Sequence, residues 1–158
     1  AFAVLYSFQM RNLLKGVGQQ MKWSVRDESL HSKMGCQLFR HMCSQIPGLK
    51  KECEEHIYDA ALTMHNAEMT YISKLFEMGD IEGITEYDLK HFIKKRTGDK
   101  LKELGYESEG KFEYDQKSID KMAWFDHLTG GHTHTDFFAI RPTDYSKANE
   151  GEDFEDVW

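Results

Sequence analysis

The stretch Trp23-Ser24-Val25-Arg26-Asp27-Glu28-Ser29-Leu30-His31 puts three ionisable groups on a helix side that ought to be apolar. Helical spacing gives one stripe of Met21, Ser24, Glu28, His31, Gly35, Leu38 and Met42, beside a second of Trp23, Asp27, Leu30 and Met34. Lys22, Arg26, Ser29, Lys33, Gln37 and Arg40 fall on the other side and form an ordinary solvated face. This pattern predicts that Asp27, Glu28 and His31 point inward among methionine, leucine and tryptophan. An unpaired charge there costs several kcal/mol or more, so a compensating group is required, and a metal ion is the natural one.

At 158 residues, 40% of them hydrophobic, the chain can bury one substantial core, and one domain is the expectation. Two prolines and long periodic segments predict an all-α body. No apolar run reaches the roughly 18 residues of a membrane-spanning helix. Ala1-Phe2-Ala3-Val4-Leu5-Tyr6 is apolar but lacks a basic leader and a cleavage site, so it does not read as a signal peptide. The chain starts without methionine and inside a helical pattern, and we read it as the C-terminal part of a longer polypeptide. Cys36, Cys43 and Cys53 form no C-x-x-C pair and read as reduced thiols of a cytoplasmic protein.

The net charge of −7 is uneven. Asp136, Asp144, Glu150, Glu152, Asp153, Glu155 and Asp156 face only Arg141 and Lys147 after residue 134, which leaves a nearly neutral body with an acidic tail. That balance argues against nucleic acid as a partner. The tail ends in Phe154-Glu155-Asp156-Val157-Trp158, apolar anchors among acids, as in a peptide that docks on another protein.

Periodicity predicts a first helix to about Leu14, a second from Gln19 to Ser44, and a third from Leu49 to Met78. The third helix is expected to bury Ile57, Tyr58, Ala61, Leu62, His65, Met69, Ile72 and Phe76. Thr85 is the expected N-cap of a fourth helix that Gly105 ends, and Ile119 to Leu128 is a short amphipathic piece. Residues 1–130 form the helical domain and residues 131–158 the tail. Antiparallel helices joined by short turns make a bundle, which builds metal sites from side chains on facing helices.

Glu28-x-x-His31 places a carboxylate and an imidazole one turn apart, and this hard donor set suits iron or manganese. Alone the spacing is a weak signal; its predicted inward placement strengthens it. Asp27 is placed to orient a ligand from behind or to pair with Arg26 or Lys22. His65-x-x-Glu68 is the reversed spacing, and His65 reads rather as packing with Tyr58 and Met69. His132 and His134 lie in a glycine-rich loop and read as at most an adventitious metal site, and Lys94-Lys95-Arg96, interleaved with Asp99 and Glu103, reads as a solvated helix face.

Arg26-Asp27-Glu28-Ser29-Leu30-His31, then Ala60-Ala61, then Phe137-Phe138 with Arg141 and Tyr145, together resemble one family. It is the small, radical-generating subunit of class I ribonucleotide reductase, in its tailed-phage versions above all. The resemblance covers essentially the whole chain. It implies a partial ferritin-like helical bundle in which Glu28 and His31 are the last ligands of a di-iron (or manganese–iron) centre. Asp27 then bonds to the other iron's histidine and joins the radical-transfer route, and Tyr145 relays the radical to the large subunit. Phe154, Val157 and Trp158 occupy the place of the docking peptide, and Phe2 packs near the radical tyrosine.

The resemblance also implies a homodimer, a large catalytic subunit as partner, and reduction of ribonucleoside diphosphates to deoxyribonucleotides. The family's other ligands and its radical tyrosine would lie upstream of Ala1, in a missing N-terminal half. Without that half and the large subunit this chain is expected to be inactive. Pro142, Ala139 and Ser24 depart from the family's valine, acid and bulky aliphatic. Two other readings stay open on the residues alone: another ferritin-like di-iron oxygenase, which has no use for Tyr145, and a non-enzymatic helical interaction module.

Overall fold

The computed structural model of the chain describes residues 2–108 and 110–130. They form six helices and, among the described residues, no strand: α1 (Phe2–Met10), α2 (Lys15–Gln45), α3 (Leu49–Phe76), α4 (Glu86–Leu104), α5 (Gln116–Lys121) and α6 (Ala123–Gly130). The all-α expectation holds.

The first boundary falls earlier than the sequence suggests. α1 stops at Met10 because the backbone of Asn12 (φ 62°) and Leu14 (φ 49°) turns left-handed, and the Leu13 N–H closes the turn on the Phe8 carbonyl at 2.9 Å. Asparagine tolerates that conformation. α2 therefore starts before Gly16 and Gly18 and absorbs both. Gly18 lies against the Gln9 side chain of α1, which would have to shift if a Cβ were added, since that Cβ would stand 2.8 Å from it.

α4 is the central element. Its N-terminus is capped as expected, the Asp88 N–H donating to Thr85 Oγ1 at 3.0 Å. Its end is a left-handed Gly105 (φ 92°), with the Gly105 N–H on the Lys102 carbonyl and the Tyr106 N–H on the Leu101 carbonyl. Leu89 and Phe92 join Ala3, Val4, Ile72, Ile84 and Met122 in one core cluster. Leu101 builds a second with Tyr106 and Phe112, flanked by Phe39, Ile57, Tyr58 and Ala61. Leu62, expected in the core, is exposed, since α3 buries only the narrower side carrying His65 and Ile72.

Asp88 locks α5 onto this helix. It is 4% exposed, and its carboxylate accepts from Ser118 Oγ (2.7 Å), Thr85 Oγ1 (2.7 Å) and Lys121 Nζ (3.1 Å). Burial pushes this carboxyl up, but the bonds from Ser118, Thr85 and Lys121 outweigh it and hold the group below the ordinary carboxylate range. The basic run of α4 is a solvated face only in part. Lys95 pairs with Asp99, but Arg96 lies over the rings of Phe92 (4.8 Å) and Phe125 (5.8 Å) and pairs with Asp126, tying α6 down.

Asp88→Ala removes the acceptor of three donors and is expected to cost about 1–3 kcal/mol in urea unfolding. A loss under about 0.5 kcal/mol would mean that the lock adds nothing beyond an ordinary surface contact.

Candidate metal-binding face on α2

α2 carries two apolar stripes, and the fold covers only one. Val25 and Cys36 are buried, with Phe39 half-buried in the second core cluster. The stripe of Trp23, Leu30, Met34, Leu38 and Met42 is exposed, Leu38 at 61%. The predicted ligands share this open side: the side chains of Asp27 and Glu28 are each 65% exposed and that of His31 is 61% exposed. The inward placement expected from the sequence is therefore corrected for this chain. Periodicity says which residues share a face, and another element must decide whether that face is covered. No described helix packs over it. In water these groups carry no large desolvation cost, so the need for a compensating ion does not arise within these residues.

The triad is nevertheless assembled. One ligand atom from each of Asp27, Glu28 and His31 lies within 4.8 Å of the others. The imidazole sits between the two carboxylates, Nε2 3.7 Å from Asp27 Oδ1 and Nδ1 3.8 Å from Glu28 Oε2. Two hard oxygens and one imidazole nitrogen on one side of a regular helix fit iron or manganese, and they leave most of a metal's coordination positions for other donors. Asp27 faces His31 on its own helix rather than Arg26 or Lys22.

His65 does not join a metal cluster. Among the described residues Asp27, Glu28 and His31 are the group of three with ligand spacing. His65 is buried against Phe112, ring centroids 5.0 Å apart, with Thr97 Oγ1 3.5 Å from Nδ1, so its ring neighbour comes from the connector after α4. Burial, and then Lys94, disfavour its charged form and lower its pKa from the ordinary 6.5. Phe2 is half-buried on α1 and Ala60 is exposed on α3. Tyr145, Phe154, Val157, Trp158, His132 and His134 lie outside the described residues.

Sequence reasoning overlooked the covered stripe of α2. Val25, Ser32, Cys36, Phe39 and Cys43 recur at helical spacing and were legible in principle, but the ionisable stripe beside them drew the assignment of the inner face.

An all-helical body carrying a carboxylate–imidazole group on one long helix defines the class: a helical protein with a hard-metal donor set. The chain belongs to the family described as ribonucleotide reductase, small chain, whose family model matches residues 1–114. The all-α architecture agrees with the ferritin-like fold of that family. A probable ribonucleoside-diphosphate reductase small subunit of Invertebrate iridescent virus 3 is 27% identical over 94% of this chain and 39% of its own length. One from Invertebrate iridescent virus 6 is 26% identical over 99% of this chain and 49% of its own. The ribonucleoside-diphosphate reductase subunit beta of Enterobacteria phage T4 is 27% identical over 66% of this chain and 29% of its own. The chain thus spans less than half the length of these relatives. No solved structure matches it.

Two outcomes are expected. Leu101→Ala, at a side chain 1% exposed, costs about 2–5 kcal/mol, whereas Leu38→Ala on the open stripe changes the stability of the 158-residue chain by no more than about 0.5 kcal/mol. Paired denaturant melts check this, and equal losses would mean that the stripe is covered after all. For His65, a pKa lowered by folding means that the unfolded chain binds the proton more readily. Its contribution is therefore intact above pH 6.5 and is lost as pH falls below that value. His65→Phe should flatten this acid limb in melts run from about pH 7.5 to about pH 5.

Proposed function

We propose that this chain is the part of a ribonucleotide reductase small subunit that carries half of the metal site and the docking tail. The observation that carries the proposal is the Asp27–Glu28–His31 group, with ligand atoms within 4.8 Å, set in the middle of an open apolar stripe. Membership of the small-chain family, and the coverage of nearly the whole chain by the viral relatives, support it.

On this reading Glu28 and His31 hold one side of a dinuclear iron (or manganese–iron) site, and Asp27 orients a histidine and carries the proton and electron route away from it. The remainder of the subunit supplies the facing helices, buries Trp23, Leu30, Met34 and Leu38, and provides the other ligands. Bound metal supplies the oxygen-dependent one-electron chemistry that makes a tyrosyl radical. This chain's residues hold the metal in place, exclude water once the stripe is covered, and pass the radical on. Residues 1–130 are the helical part, and residues 131–158 are the tail. Tyr145 relays the radical, while Phe154, Val157 and Trp158 dock on the large subunit, where ribonucleoside diphosphates are reduced. The assembled subunit works as a homodimer in the cytoplasm.

The test is metal content and the electron paramagnetic resonance spectrum after ferrous iron and oxygen, on this chain alone and within the full-length subunit. Iron and a tyrosyl signal are expected only in the full-length protein, and Glu28→Ala or His31→Ala should abolish the signal there. Truncation after Gly130 should leave iron and radical intact but abolish turnover with the large subunit. If the truncated subunit turns over normally, the docking and relay roles are wrong. If Glu28→Leu with His31→Leu leaves iron unchanged, the residues are not ligands.

A further inference from the structure

His91 accepts a hydrogen bond that only its neutral ring can accept. The Asp115 backbone N–H donates to His91 Nδ1 at 2.9 Å, so Nδ1 carries no proton in this arrangement. The ring is held by Tyr87 one turn earlier, with centroids 4.3 Å apart. Asp115 is the N-cap of α5, its carboxylate accepting from the Lys117 N–H (3.2 Å) and from Ser118 Oγ (3.3 Å). Ser118 and Lys121 in turn bond to Asp88 on α4. One imidazole nitrogen therefore holds the connector at the N-cap of α5, beside the Asp88 contacts that seat α5 on α4.

We propose that His91 is a proton-operated latch for the connector at the start of α5: neutral, it holds the Asp115 N–H; protonated, it releases it. Protonation turns Nδ1 from acceptor into donor, so two N–H groups face each other and the hydrogen bond is lost. The titratable and charged groups around the ring come from three elements. On α4 they are Tyr87, Asp88, Lys94 and Lys95, each one turn from His91. The connector brings Asp115 and Tyr114, with Lys95 Nζ 6.0 Å from the Tyr114 ring centroid. α5 brings Lys117 and Lys121. The carboxylates of Asp115 and Asp88 are already occupied by the α5 cap, Ser118 and Lys121. α3 packs on another side of α4, through Thr97 and Glu86. The latch acts on the connector between α4 and α5. It does not depend on the metal reading.

The experiment is hydrogen exchange of the Asp115 amide in the 158-residue chain, corrected for the intrinsic pH dependence of exchange, from about pH 7.5 to about pH 5. Protection should fall about tenfold or more on acidification, the equivalent of one lost hydrogen bond. His91→Asn keeps an acceptor in the place of Nδ1 that does not titrate, and its protection should stay level across the range. His91→Phe should lack the protection at every pH while its thermal unfolding stays cooperative. Parallel loss in the wild type and His91→Asn would overturn the latch and assign the acid effect to buried His65. Full protection in His91→Phe would overturn it equally.

Discussion

Leu89, Phe92 and Leu101 lie along a single helix yet belong to two separate core clusters, so α4 is the beam on which the described fold hangs. The first cluster gathers α1, α3, Met122 and α6 around its N-terminal half; the second gathers α2, α3 and the connector around its C-terminal half. Removing apolar surface from water supplies most of the driving force, and α4 is where that burial is shared. The polar contacts follow this arrangement. Asp88, Arg96 and His91 each bind α5, α6 or the connector back to α4, through a carboxylate, a guanidinium and an imidazole respectively.

This economy leaves α2 in an unusual state. A helix with two apolar stripes calls for a packing neighbour on each. Here one stripe is engaged and the other is open, with the carboxylates and the imidazole along it. The ligand geometry is already set by the helix itself, because residues three and four apart fall on one side whether or not anything covers them. Bringing these groups together and covering them are thus physically separate matters, and the helix alone accomplishes the first.

Much of the body was legible in the sequence. Thr85 announced a helix start, Gly105 its stop, and Ile46-Pro47-Gly48 the reversal between α2 and α3, because caps and turns are written in local chemistry. The break after Met10 was missed because two left-handed residues without a glycine signal made it. The Glu28–His31 spacing was legible as well; the exposure of the pair was not. Burial depends on what lies opposite, and no window along α2 contains that information. The same limit explains His91 and Ser118, whose partners are 24 and 30 residues away in sequence.

The open stripe on α2 is also the kind of apolar surface that quality-control factors bind. Chaperones and proteases recognise apolar surface that a finished protein would hide, and they act on the molecules that display it. A copy with Trp23, Leu30 and Met34 bare carries that mark, and covering the stripe erases it. Covering Trp23, Leu30 and Met34 removes from view the surface that such factors recognise.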